Sequence, residues 1–297
     1  MKRMLFIYNP CAGQGKVRKK LPDIIDAFAL RGYLPAIYPT QGPGDATRLI
    51  RGIGRHYRRV VCCGGDGTLH EVIEGLMELD DPPVLGYIPA GSTNDVSRNL
   101  NLPKNMRRAA DVATGHETMR CDMGRFNGQP FVYVAAFGLF ADVSYATPQK
   151  FKNMFGHMAY IFEGVGRLGN IRSWNVTVEH DQGRTEGEFI FGMVGNTRSV
   201  GGFRNLPVPE VALDDGQFEL LLVRKPKNPA EFQAILAALM SQKTTADGPV
   251  IGLRTSRARF IFDQTAEWTL DGECGGSHSQ VDIENIPKAL ELCCWHK

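Results

Sequence analysis

Several things are scarce in this chain, and each scarcity excludes a class of protein. No segment approaches the ~18 unbroken apolar residues of a membrane-spanning helix, and the apolar start of MKRMLFIYNP is broken at Asn9 and Pro10. Neither a secretory leader nor a span is expected. There is almost no charge imbalance: 34 Lys and Arg stand against 32 Asp and Glu, a net charge of +2. A dedicated nucleic-acid binder would be far more basic, so no nucleic-acid partner is expected. Among seven cysteines there is no CxxC. The adjacent pairs Cys62–Cys63 and Cys293–Cys294 read as small core residues in a reducing compartment, so the cytoplasm is the expected location. Cys274 and His278 have no second ligand pair near them, which argues against zinc. Internal repeats and low-complexity linkers are also missing. With 297 residues, 43% hydrophobic and 22% charged, the expectation is two packed domains with a cleft between them.

The first part of the chain alternates strand and helix signals. RMLFIY (3–8), YLPAIYPT (33–40), RVVCC (59–63) and PVLGYIP (83–89) read as strands. Between them lie helical patterns over 17–30, DATRLIRGIG and LHEVIEGLMEL (69–79). That alternation predicts βαβ units around a doubly wound parallel sheet, an α/β domain over 1–120. After about Cys121 the texture changes to closely spaced strands: PFVYVAAFGLF, SWNVTVEH, GEFIFGMVGN, FELLLVRK, ARFIFD, WTLDGE and SQVDIE. A mainly antiparallel β-domain is expected over 121–287, with helices only at 157–168 and 230–240. Residues 288–297 are candidates to return to the first domain.

What is abundant is glycine at strand ends. VCCGGDGTLHEVIEGL (61–76) runs from a buried strand through Gly64-Gly65-Asp66-Gly67-Thr68 into a helix. Consecutive backbone N–H groups at a helix N-terminus favour an anion, and the missing side chains permit close approach. Asp66 suits such a place if a magnesium ion bridges it to phosphate; a tight turn would explain the same residues. NPCAGQGK (9–16) and PAGSTND (89–95) are two more such loops. Three of them would share the carboxyl edge of the sheet, where open α/β folds bind ligands. The Walker loop does not fit, because Pro10 stands at its first glycine and Val17 follows Lys16; the GxGxxG fingerprint fails at Arg18.

The set NPCAGQGK, GGDGTLHE and PAGSTNDVSR resembles the diacylglycerol kinase catalytic-domain family, soluble lipid kinases akin to sphingosine and ceramide kinases. The likeness continues through VGGFRNLPVPEVALDDGQFEL (200–220) to TLDGE (269–273). GGDGT alone is shared with NAD kinases and phosphofructokinases. The resemblance implies an ATP-dependent lipid kinase, with ATP and Mg2+ as cofactors and diacylglycerol as the first-choice acceptor. It further implies that Asn9, Pro10, Cys11, Ala12, Gly13, Thr40, the run Gly64, Gly65, Asp66, Gly67, Thr68, Leu69, His70 and Glu71, and Ser92, Asn94 and Asp95 hold the nucleotide. Asp66, Asp95 and Asp122 match carboxylates that organise magnesium. Asp215, with Ala212 and Gln217, matches a second, structural magnesium site, and Glu273 matches the catalytic base. The chain departs from the family at His70, where Asn is usual, at Ser92, where Thr is preferred, and at Ser97, where Ala is usual.

Phosphoryl transfer needs positioning and charge neutralisation more than covalent chemistry, and a carboxylate against a lipid hydroxyl can take its proton. Glu273 is the candidate; an ordinary solvated turn glutamate is the alternative. A lipid substrate implies peripheral contact with an anionic bilayer at the inner face of the membrane. Arg51, Arg55, Arg58 and Arg59, and Lys104, Arg107 and Arg108, form basic clusters suited to it. TPQKFKNMFGHMAY (147–160) mixes Lys with Phe and Met and is the stronger candidate for lipid contact. Other acceptors (a sphingoid base, monoacylglycerol, phosphatidylglycerol), an NAD-kinase-like enzyme and a non-catalytic nucleotide- or lipid-binding regulator are the competing readings. A homodimer is left open.

Overall fold

The computed structural model describes residues 1–138, 171–197, 199–200, 203–204, 211–241, 244–245 and 247–295. The segment 147–160 and the helix expected at 157–168 lie outside the described residues. The chain divides into two compact units, the first comprising Met1–Met123 with Pro287–Lys297, the second Gly124–Ile286.

The first unit opens with β1 (Lys2–Tyr8), α1 (Lys16–Leu30), β2 (Tyr33–Pro39), α2 (Asp45–Ile53), β3 (Arg59–Gly64), α3 (Asp66–Leu76) and β4 (Val84–Pro89). A short α4 (Asp95–Asn99) and α5 (Met106–Ala113) follow. The four strands are parallel in the order β2-β1-β3-β4, with Leu5 opposite Val60 and Cys63 opposite Ile88. A strand buried on both faces has no polar alternation, which is why LFI and VVCC are continuous apolar runs. Alternation sends Met4, Phe6, Val61 and Cys63 to one face, where they form a core with Val17, Ile24, Ala27 and Phe28 of α1 and with the three alanines of α5. Leu5, Ile7, Val60 and Cys62 point the other way, toward the α2–α3 side. There Gly75 permits close helix packing: a Cβ on it would lie 2.7 Å from Ile50 Cβ.

The sequence pattern did not suggest α5. PKNMRRAA reads as a basic cluster, yet Asn105 caps this helix by accepting the Arg108 N–H. Arg59, counted among the membrane-attracting arginines, is only 8% exposed. Its guanidinium donates to the carbonyls of Ala113 (2.7 Å) and Gly115 (3.0 Å) at the end of α5, and lies 2.7 Å from Cys293 Sγ. A cation there compensates the negative end of the helix. Arg51 is likewise taken, by Glu78 and Glu74 across the α2–α3 pair.

The chain leaves the first unit along β5 (Thr118–Phe126). The second unit then holds β6 (Gln129–Phe131), β7 (Val134–Gly138), β8 (Trp174–His180), β9 (Gly183–Gly195), β10 (Ser199–Val200), β11 (Phe203–Arg204) and β12 (Phe218–Arg224). These are followed by α6 (Pro229–Ser241), β13 (Val250–Thr255), β14 (Arg257–Leu270) and most of β15 (Glu273–Cys293). The pairing is antiparallel in the order β13-β12-β9-β7-β14-β15, with β8 beside β9 and β14. ARFIFD and WTLDGE, expected as two strands, form one long β14 whose register shifts between Ile261 and Ala266. Its core is aromatic: Phe137 packs against Phe262 and Trp268 with ring centroids 4.9 and 5.0 Å apart. The far end of β15 rejoins the first unit, where Leu292 pairs in parallel with Leu85 of β4.

Candidate active site

Three strand-to-helix connections meet at the carboxyl ends of β1, β3 and β4. In the first, Asn9 receives the Cys11 N–H on its side-chain oxygen (2.9 Å), folding the loop into an Asx turn, and its own backbone N–H donates to Cys63 O (2.9 Å). Gly13 adopts φ +60°, and a Cβ there would lie 2.7 Å from Ala90 O, so glycine is required on both counts. The Asn9 amide donates to Thr68 Oγ1 (3.2 Å), tying this loop to the second.

In the second connection α3 starts at Asp66 without any side-chain cap. Its first ladder bond runs from Leu69 N–H to Gly65 O. The N–H groups of Gly67 and Thr68 therefore precede the helical ladder, as an anion site requires.

The third connection lies backbone to backbone against the second: Ala90 N–H donates to Gly64 O (2.8 Å), and a Cβ on Gly91 would lie 2.7 Å from Gly65 Cα. Asn94, at φ +51°, closes its own loop by accepting Gly91 N–H (2.8 Å) and donating to Gly91 O (2.7 Å). Its backbone N–H donates to Asp66 Oδ2 (2.7 Å). The Tyr87 hydroxyl lies 3.2 Å from both Gly64 O and Asn94 Oδ1. Asn94 thus locks the loops together.

These loops border a cavity of about 470 Å³, in the range of small-molecule sites. Asn9, Cys11 and Ala12 line it from the first loop, Gly65, Gly67, Thr68 and Glu71 from the second, Gly91 from the third, and residues 40–43 from the β2–α2 connection. Ser92 is exposed. Glu71 is committed elsewhere: its carboxylate accepts Gly44 N–H (2.8 Å) and Ala46 N–H (3.2 Å), capping α2. Behind the loops, burial pushes the Cys63 thiol up to about 12 and raises Cys62 well above its ordinary value, so both remain protonated. A cavity of similar size, about 490 Å³, is lined by residues such as Arg31, Arg108, His116 and Trp295 and includes none of the expected site residues.

The expected carboxylate trio is not gathered into one group. Asp66 holds Asn94, the 1%-exposed Asp95 pairs with Arg98 (2.8 Å), and Asp122 accepts Lys288 N–H (2.8 Å). Among the described residues no three His, Cys, Asp or Glu side chains are close enough to hold a metal ion. Magnesium takes only one or two carboxylates together with phosphate oxygens. Asp66, standing between two residues that line the cavity, fits that mode. At the second expected ion site Asp215 Oδ1 accepts Gln217 N–H (3.0 Å) and Oδ2 is paired with Arg254.

Glu273 follows the hairpin turn between β14 and β15 and is exposed. The turn residues Asp271 (φ +53°) and Gly272 (φ +90°) both take left-handed backbone, as a two-residue type I′ connection demands. Sequence reasoning overlooked Asp271. Its buried carboxylate accepts three backbone N–H groups, from Val132 (2.7 Å), Tyr133 (2.9 Å) and Val134 (3.1 Å). The Asp-Gly pair was the signal for the turn, but nothing local announced the three distant donors.

The Diacylglycerol kinase catalytic domain family matches residues 3–126. A diacylglycerol kinase from Bacillus subtilis (strain 168) is 35% identical over 278 residues, 93% of this chain and 91% of the relative. One from Staphylococcus epidermidis is 36% identical over 292 residues, 98% of this chain and 92% of the relative. Among solved structures, a Bacillus anthracis str. Sterne protein assigned to the diacylglycerol kinases matches with a TM-score of 0.82 and 26% identity, covering 99% of this chain and 95% of that one.

Proposed function

The chain belongs to the diacylglycerol kinase family of ATP-dependent lipid kinases, and from that premise we propose that it transfers the γ-phosphoryl group of ATP to the free hydroxyl of diacylglycerol, forming phosphatidic acid and ADP. The observation that carries this reading is the cavity bordered by three side-chain-poor loops and the uncapped start of α3. The N–H groups of Gly67 and Thr68 bind phosphate oxygens, and Asn94 keeps the loops in register before the nucleotide arrives. Preorganised donors of this kind stabilise the charge that builds on the transferring group at no reorganisation cost. Magnesium, when bound with the nucleotide, supplies further charge neutralisation, and Asp66 is the carboxylate that would hold it. As the lipid oxygen bonds to phosphorus and the bond to the ADP oxygen breaks, the hydroxyl proton passes to Glu273.

On this reading the first unit handles the nucleotide and the second the lipid. The acceptor resides in a bilayer, so the enzyme works in peripheral contact with a membrane surface. Among the described residues no helix is long and apolar enough to cross one.

The test supplies labelled ATP, magnesium and mixed micelles carrying, in separate reactions, diacylglycerol, monoacylglycerol, a sphingoid base or phosphatidylglycerol. Label in chloroform-soluble phosphatidic acid is the expected result. Label on another lipid would reassign the acceptor, and label only in water-soluble products would remove the lipid assignment.

A further inference from the structure

The cavity of about 490 Å³ belongs to the first unit alone, and it lies at the other end of the parallel sheet from the glycine loops. Lys2 N–H donates to Gly32 O (2.9 Å), which sets the end of α1 beside the start of β1. Arg59, the first residue of β3, donates to Gly115 O (3.0 Å) and so sets the end of α5 beside the start of β3. The glycine loops follow the opposite, carboxyl ends of these strands. The 15 residues of α1 run from one place to the other, about 22 Å. The nucleotide reading therefore does not account for this second cavity.

Three chain segments meet around it: Arg31 at the end of α1, Arg108, Asp111, His116 and Glu117 along and after α5, and Trp295 after β15. Backbone bonds fix the last of these, from Cys294 N–H to Glu117 O (3.2 Å) and from Trp295 N–H to Leu100 O (3.3 Å). The carbonyls at the end of α5 already have their cation in Arg59, so that helix makes no demand on Arg31 or Arg108. Among the described residues neither of these guanidiniums has a hydrogen-bond or ion-pair partner. Nor has the Asp111 carboxylate, although it stands one turn from Arg108 on α5.

Two guanidiniums in one cavity suit a phosphate monoester, whose three terminal oxygens and near-double charge can serve both forks; a carboxylate satisfies one. Asp111 can only accept, so it asks for a hydroxyl on the same molecule; an ammonium there would be repelled by the arginines. The Trp295 indole, 39% exposed, offers a flat apolar face with a donor at its edge. The volume is that of a small-molecule site.

We infer that this cavity is a second ligand site, for a soluble phosphate monoester that carries a hydroxyl: Arg31 and Arg108 take the phosphate, Asp111 accepts from the hydroxyl, and Trp295 lies against the carbon chain. The inference stands whether or not a nucleotide occupies the glycine loops.

The test uses glycerol phosphate as the probe, followed by tryptophan fluorescence and by calorimetry, with and without saturating ADP. Of the three tryptophans, Trp174 and Trp268 are 4% and 1% exposed, so the change in emission reports Trp295. Glycerol phosphate is expected to bind saturably in both conditions, about threefold more tightly than inorganic phosphate, and glycerol alone to leave the emission unchanged. Arg31→Gln and Arg108→Gln should each weaken glycerol phosphate by about tenfold, as the loss of a charged hydrogen-bond partner does. Asp111→Leu should bring glycerol phosphate and inorganic phosphate to equal affinity. Arg107→Gln makes the same charge change on the same helix, outside the cavity, and should leave the affinity as it was. Unchanged melting temperatures and ADP affinities establish that the variants are folded and the nucleotide loops untouched. No saturable binding by either method would overturn the inference. So would an Arg107→Gln loss equal to that of Arg108→Gln, which would mean diffuse surface charge, or binding abolished by ADP, which would place the ester among the loops. A response confined to vesicles of phosphatidylglycerol, with none to the soluble ester, would make the cavity a bilayer contact and overturn it as well.

Discussion

Gly91→Ala isolates the contact on which the proposed phosphate-binding arrangement depends. The added methyl would lie 2.7 Å from Gly65 Cα and 2.8 Å from Asn94 Oδ1. Neither neighbour is a flexible tip: one is backbone and the other is the amide that closes the loop. Overpacking of this kind costs about 1–3 kcal/mol. Taking about 2 kcal/mol, and about 3–4 °C per kcal/mol for a unit of this size, the apo melting temperature should fall by about 6–8 °C. The strain can also be relieved by parting the two loops, and that would be felt by the ligand. ADP at 100 times its Kd stabilises by about 2.7 kcal/mol, and a tenfold loss of affinity at the same concentration leaves about 1.4 kcal/mol. A thermal melt with and without ADP, alongside calorimetric Kd values, separates the two effects. Gly52→Ala is the control: it lies in α2, a Cβ on it meets nothing within 4 Å, and helix propensity should leave it neutral or stabilised by up to about 1 kcal/mol. A Gly91→Ala protein with wild-type melting temperature and wild-type ADP affinity would refute the idea that these backbones must touch for phosphate to bind.

Three further outcomes are expected. Glu273→Gln should abolish phosphoryl transfer while calorimetry shows ADP binding nearly intact; undiminished turnover would remove Glu273 from the role of base. Asp271→Ala leaves three buried N–H groups without their acceptor and should destabilise the chain by about 3–5 kcal/mol in a urea titration, against a null result if water replaces the carboxylate freely. Of the seven cysteines only Cys11 and Cys274 are exposed, so a thiol reagent should react quickly with two equivalents in the native chain. Saturating ADP should slow Cys11, which lines the cavity, and leave Cys274 unchanged; a Cys11 rate indifferent to ADP would argue that the nucleotide sits elsewhere.

The strands and helices of the first unit were legible because each is long, regularly patterned and bounded by Gly, Pro or Asp. The three loops were legible for the same reason, since absent side chains are visible in a string of letters. Hydrogen-bond commitments were not. Glu71 looks like one more residue of a phosphate loop, yet its carboxylate serves Gly44, 27 positions earlier. Arg59 reads as one of four surface arginines, yet it is buried because the end of α5 needs a cation there. Asp215 reads as a lone acid of a turn, yet its carboxylate is paired with Arg254 of β13. In each case the deciding partner is remote in sequence. Periodicity carries information about faces, not about which distant group arrives at them.

The first unit is completed by a strand that follows 124–286, beyond the whole of the second unit. Arg59 waits on that strand too, because Cys293 is one of its hydrogen-bond partners. During synthesis the parallel sheet therefore emerges with β4 open along one edge and a guanidinium short of a neighbour until 124–286 has been made. An open edge invites pairing with other chains. The order of translation means that 287–297 can join β4 only after the whole second unit has been synthesised.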